Sequence, residues 1–147
     1  MTLYLSNEDP TTLLEWAQEK IGFAGTWPNG ARALGVLDDK TGAIRAVLVT
    51  VHTYTGIIDA HIASDGSRKW ATRNILGGLF GYMFIYHKAR RVQVVIDPEN
   101  TNSVFMVHKM GFVFEGRVAA SLDNGKDGMI LGMTPDQCKW IKGKKDG

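Results

Sequence analysis

Apolar and polar positions follow two different rhythms along the chain, and the switches between them outline its elements. After a short strand at residues 2–6, the stretch DPTTLLEWAQEKIG (9–22) brings Leu13, Leu14, Trp16 and Ile21 near helical spacing. Asp9 suits the N-cap of that helix and Pro10 its first turn. FAGTWPNG (23–30) is a loop. Three strand-like runs follow at 31–37, 43–54 and 57–64, divided by the turn clusters DDKTG and YTG, which predicts an antiparallel meander. The rhythm then changes. Over 71–89, Ile75, Leu76, Leu79, Phe80, Met83 and Tyr86 or His87 form a broad helical stripe, and the length favours helix over strand. Gly77, Gly78 and Gly81 each oppose that helix by up to ~1 kcal/mol relative to Ala, so close approach of the helix to a sheet is the expected compensation.

RVQVVID (91–97) reads as a buried strand returning after a helix, a right-handed crossover if the flanking strands are parallel. Residues 97–112 hold a short helix, capped at Asn100 or Thr101 and ended by Gly111. A hairpin follows, 112–121 with 128–133 across LDNGKDG, and PDQCKWIK (135–142) reads as a last short helix. The order β-α-β-β-β-α-β-α-β-β-α predicts an α/β (α+β) fold, a mixed sheet with helices on its faces. No repeat, low-complexity tract or linker divides the 147 residues, so one domain over 1–147 is expected.

Composition narrows the classes. At 44% hydrophobic and 22% charged the chain is globular rather than disordered. A net charge of +2 is too small to argue for a nucleic-acid partner, and the basic end KGKKDG reads as solvated. Cys138 stands alone, which excludes an internal disulfide framework and fits a reducing compartment. MTLYLSNEDP lacks a secretory pattern, and no run reaches the roughly 18 apolar residues of a membrane span, so a cytoplasmic protein without a membrane partner is expected. The four histidines and one cysteine form no metal-ligand spacing, and no metal is expected.

Two stretches carry the chemistry. SDGSRKWATRNILGG (64–78) crowds small, basic and aromatic residues before a helix, where backbone N–H groups and the helix dipole favour an anion. It reads either as such a cradle or as a capped β–α loop with Arg68 and Lys69 in solvent. The second stretch is Asn100-x-x-Ser103, followed by Lys109-Met110-Gly111-Phe112 and Glu115-Gly116. This constellation resembles the GNAT acyltransferase superfamily, and within it the ribosomal-protein N-terminal acetyltransferases and their phage-encoded relatives. The likeness in element order runs from about Ala31 to Met133. The resemblance implies a sheet of about six or seven strands with about four helices, in which two parallel strands splay to form a cofactor cleft. The family's pyrophosphate loop, R/Q-x-x-G-x-G/A, falls on Gly66-Ser67-Arg68-Lys69-Trp70-Ala71, so Gly66 and Lys69 depart from it while Ala71 is kept.

By that resemblance acetyl-CoA is the acyl donor. Its pyrophosphate would be held by Ser67, Arg68, Lys69, Trp70, Ala71 and Thr72, largely through the backbone amides from Arg68 to Thr72. Asn100 would add to the donor site, and main-chain groups at Ile62 and Ala63 would pair with the pantetheine arm as a strand would. Trp70 would either cover the adenine or pack behind the loop. Acyl transfer to an amine needs a base, oxyanion stabilisation and a hydrogen-bond donor to the leaving thiolate. Many family members place a Tyr four residues before the Gly of the Gly-Phe pair; here that position is Val107. In the branch resembled, the serine of N-x-x-S takes that role, which points to Ser103; its other reading is helix capping. Asp59 and His61 share one face of their strand, and either could be the base. His52 could reach the same cleft from the neighbouring strand, His87 and His108 read as surface residues or as satisfied hydrogen-bond partners, and Cys138 lacks a nearby His to activate it.

Three functions remain open at this level. The first is an acetyl-CoA-dependent N-acetyltransferase acting on an amine, whether a protein N-terminus or a small molecule. The second keeps the fold but modifies a nucleobase amine, as the phage Mom-type proteins do. The third is a binding or inhibitory module without turnover, suggested by the altered loop and the missing Tyr. A homodimer is compatible with each.

Overall fold

A computed structural model describes residues 2–142. Seven strands form one sheet: β1 (Leu3–Ser6), β2 (Arg32–Asp38), β3 (Ile44–Tyr54), β4 (Ile57–Ser64), β5 (Arg91–Ile96), β6 (Val113–Val118) and β7 (Gly128–Met133). Their spatial order is β1-β2-β3-β4-β5-β7-β6. All neighbours are antiparallel except β4 and β5. That one parallel pair needs a crossover, and α2 (Arg73–Gly81) supplies it. With α1 (Pro10–Ile21) and α3 (Thr101–Met110), the described residues hold three α-helices, one fewer than the sequence pattern suggests. The mixed sheet flanked by helices is the expected α/β architecture.

Strand alternation splits the core in two. Ile58 and Ala60 of β4 face the larger cluster beneath α2 and α3, with Leu79, Phe80, Met83, Val107 and Phe112. Ala63, on the other face, joins Leu13 and Ala17 of α1 with Val47 and Val49 of β3. Asp59 and His61 share the parity of Ala63 and therefore lie on the α1 face. α1 starts where the sequence indicates, with Asp9 Oδ1 accepting the Thr12 N–H at 3.2 Å, and ends on Gly22 in the left-handed region at φ 84°. α3 likewise begins at Asn100 and closes on Gly111 at φ 105°, after which Phe112 turns into the core.

Two expected helices differ. The 71–89 segment is α-helical only to Gly81; Tyr82–Tyr86 widens into a π turn in which the His87 N–H donates to the Tyr82 carbonyl at 3.0 Å. The wider turn shifts the side-chain phase, so Met83 and Phe84 are buried while Ile85 and Tyr86 emerge into solvent. At 135–142 only a 3-10 turn forms, Pro135–Gln137, closed by a capping box between Thr134 and Gln137. The chain beyond it is held by side chains instead: Cys138 is fully buried, and the Trp140 indole N–H donates to the Met110 carbonyl at 2.7 Å. The basic tail past Lys142 lies outside the described residues.

Candidate active site

β4 and β5 pair only at Ile57↔Arg91, Ile58↔Val92 and Asp59↔Gln93. Beyond that point β4 stays paired with β3 and β5 with β7, and the two facing edges part. The opening is a cleft of about 370 Å³. His61, Ile62 and Ala63 line it from β4, Val94 to Ile96 from β5, and Asn100, Ser103 and Val107 from the α3 side. A smaller groove continues from it past Ile62, Ser64, Ser67, Arg68 and Ser103. The expected splay of two parallel strands is present, and each facing edge carries main-chain groups that an extended ligand can engage.

Ser103 stands in the first turn of α3, but capping is the work of Asn100, whose Oδ1 accepts the Ser103 N–H at 3.2 Å. Ser103 itself lines both cleft and groove. Asn100 therefore reaches the cleft as the residue that shapes this helix end. Val107 is buried and gives the cleft an apolar wall.

The 64–72 loop differs from the cradle expected of it. The Ser67 hydroxyl accepts the Lys69 N–H, the Arg68 carbonyl accepts that of Ala71, and the Trp70 carbonyl that of Thr72. Thr72 Oγ1 in turn caps α2 by accepting the Ile75 N–H at 3.2 Å. Three amides expected to hold an anion, those of Lys69, Ala71 and Thr72, are thus spent within the loop. Those of Arg68, Trp70, Arg73 and Asn74 have no such partner among the described residues. The Trp70 side chain is fully buried in the main core, so it packs behind the loop and has no face to offer an adenine. Arg68 turns the other way, its guanidinium 4.7 Å from the Phe105 ring on α3.

On the α1 face, Asp59 and His61 have separate surroundings. Asp59 Oδ1 accepts from the Gln93 amide at 2.6 Å, and Gln93 Oε1 accepts from Arg91 Nε at 2.8 Å. Arg91 closes the chain through a two-pronged pair with Glu115, whose Oε2 accepts from Nη1 at 3.0 Å. That contact holds the Glu115 carboxyl below its usual range and raises the Arg91 guanidinium. Asp59 lines neither the cleft nor the basin beside it. His61 lines both. Its ring keeps contact with solvent yet is walled in by protein, with Trp27 edge-on at 5.4 Å. That crowding pushes its pKa below the ordinary 6.5, while the charges of Asp59 and Asp123 act to raise it. The basin, about 500 Å³, is bounded by Ile21, Phe23, Trp27, Val95, Leu122 and Asp123.

The other singled-out residues lie elsewhere. His52, expected within reach of the cleft, is paired with Ile58 at the closed end of the β4–β5 junction, its ring 5.0 Å from His87. The pKa of His87 is depressed, chiefly by burial and then by His52 and Arg32. Burial raises the Cys138 thiol, which suits an inert core residue. No group of three or more His, Cys, Asp or Glu stands together among the described residues. None of their helices is long and apolar enough to cross a membrane. Sequence reasoning missed Gln93, Val95, Ile21 and Asp123. Gln93 had a visible signal, being the one uncharged polar residue inside the apolar run RVQVVI.

No family profile matches the chain, and no curated protein matches it in sequence. Solved structures do. A variant of the spermidine N-acetyltransferase SpeG from Vibrio cholerae superposes with a TM-score of 0.76 at 14% identity, covering 95% of this chain and 96% of that one. A provisionally assigned ribosomal-protein-serine acetyltransferase from Vibrio cholerae gives 0.62 at 18% identity, over 71% of this chain and 64% of the other. At these identities the likeness is one of fold: the chain has the GNAT fold of these N-acetyltransferases.

Proposed function

We propose that the protein is an acetyl-CoA-dependent N-acetyltransferase transferring the acetyl group directly to an amine. The observation that carries this reading is the parting of β4 and β5, with His61 and Ser103 lining the cleft so formed. The fold shared with the two bacterial acetyltransferases supports it. The donor's extended arm lies along the free edge of β4 at Ile62 and Ala63. Its diphosphate meets the free amides of Arg68, Trp70, Arg73 and Asn74 at the start of α2, with the side chains of Ser67, Arg68 and Lys69 beside them.

His61 is the base. Its depressed pKa keeps it neutral at pH 7, and it alone among the titratable side chains of the described residues lines both cleft and basin. As its nitrogen takes the proton, the amine forms a C–N bond to the thioester carbonyl carbon. The C–S bond then breaks, and the Ser103 hydroxyl donates to the departing sulfur. Asp59, fixed by Gln93, supports the imidazole electrostatically.

Acetyl-CoA at millimolar excess is expected to raise the melting temperature. In a thiol-release assay, His61→Ala lowers kcat by about 10²-fold or more, as removal of a general base does. Ser103→Ala lowers kcat with little change in the KM for acetyl-CoA. No stabilisation and no thiol release would instead mark a module that kept the fold and lost turnover, a reading favoured only by the amides spent inside the loop.

A further inference from the structure

We infer that the basin beside His61 receives the acceptor, and that this acceptor is a small monoamine on an apolar stem rather than a polyamine or an amino acid. The inference rests on the transferase reading above. The basin's walls are largely apolar, with Ile21, Phe23, Trp27 and Leu122 prominent, and Asp123 is the only carboxylate on its lining among the described residues. Asp123 and His61 line the same basin, so an ammonium drawn to the carboxylate enters the space that the imidazole borders.

One carboxylate balances one cation. A second ammonium along a polyamine would face apolar wall without a partner, at the desolvation cost of an unpaired charge. An α-carboxylate would fare no better, because no Lys or Arg among the described residues lines the basin and Asp123 would repel it. The apolar wall is also fixed before any ligand arrives. Gln18 Nε2 donates to the carbonyls of Gly25 at 2.7 Å and Phe23 at 3.3 Å, tying the loop after α1 back onto the helix. Trp27 Nε1 donates to the Leu14 carbonyl at 3.0 Å, and the Phe23 ring meets Trp27 edge-on at 4.7 Å. Two anchored aromatic rings suit a flat or branched apolar stem and add a cation–π component for its ammonium.

The test measures acetyl-CoA-dependent thiol release with 2-phenylethylamine, spermidine and L-phenylalanine, on the full chain and on Asp123→Asn, beside the thermal shift given by acetyl-CoA. The expected kcat/KM for 2-phenylethylamine exceeds that for either other amine by about tenfold or more. Asp123→Asn should raise the KM for 2-phenylethylamine about fivefold, leave the acetyl-CoA shift unchanged and narrow the gap to L-phenylalanine. With acetyl-CoA binding intact, a preference for spermidine or L-phenylalanine, no turnover of any of the three, or an unmoved KM in Asp123→Asn overturns the acceptor assignment alone. No acetyl-CoA shift and no thiol release overturns the transferase reading and this inference with it.

Discussion

His61 and Asp59 sit two positions apart on one strand face, yet their surroundings differ. The carboxylate of Asp59 is already engaged by Gln93, while the imidazole borders both cleft and basin. Crowding lowers the His61 pKa, so if His61 is the base, as proposed, the rate should fall only as pH drops through a value below 6.5. Asp59 acts to raise this pKa, so Asp59→Asn should move the acid limb of kcat/KM further down, with most of the neutral-pH rate retained. A rate abolished at every pH by Asp59→Asn, with a His61→Ala variant still active, would transfer the base role to Asp59. Alternation along IIDAHIAS places both residues on one face from sequence alone. What separates them is Gln93, which is 34 residues away along the chain and meets Asp59 only through the parallel pairing of β4 and β5.

Helix α2 shows how far periodicity reaches at the scale of an element. Its apolar stripe, its start near Thr72 and its position in the β–α–β crossover are all legible, because each rests on local spacing and capping chemistry. The π turn is not legible: it depends on which side chains the sheet accepts, not on the segment's own propensity. The glycines divide in the same way. A Cβ on Gly78 would lie 2.5 Å from Leu5 Cδ1, so that glycine does mark close approach to a strand, whereas Gly81 has nothing within 4 Å. Gly81→Ala therefore gains helix propensity without a clash, worth up to ~1 kcal/mol, and should raise the melting temperature by about 2–4 °C. Gly78→Ala should give less or turn negative, since Leu5 must move. A Gly81→Ala melting point at or below that of the parent chain would show that the entry to the π turn needs the glycine itself.

Across the whole molecule, the sheet consists of two halves, β1 to β4 and β5-β7-β6, joined along the short β4–β5 register and parting into the cleft above it. The joint is reinforced by side chains: Glu115 grips Arg91, Arg91 orients Gln93, and Gln93 reaches across to Asp59. Gly132 of β7 leaves room for this chain to pass over the sheet. A Cβ there would lie 2.5 Å from Arg91 Nη1 and 2.7 Å from Glu115 Oε1. Gly132→Ala should therefore separate the ion pair, and for so accessible a pair the loss is on the order of 1 kcal/mol, read as a lower urea midpoint at unchanged m-value. The second effect is the informative one. Once Arg91 is displaced, the Gln93 amide is free to turn, Asp59 is no longer held, and its support of the His61 charge changes with it. The acid limb of the pH–rate profile should then move together with the urea midpoint in Gly132→Ala, and Glu115→Gln should shift both in the same sense. A lower midpoint with an unmoved acid limb in both variants would mean that the network only fastens the two halves of the sheet, and that the base is tuned by its immediate walls alone.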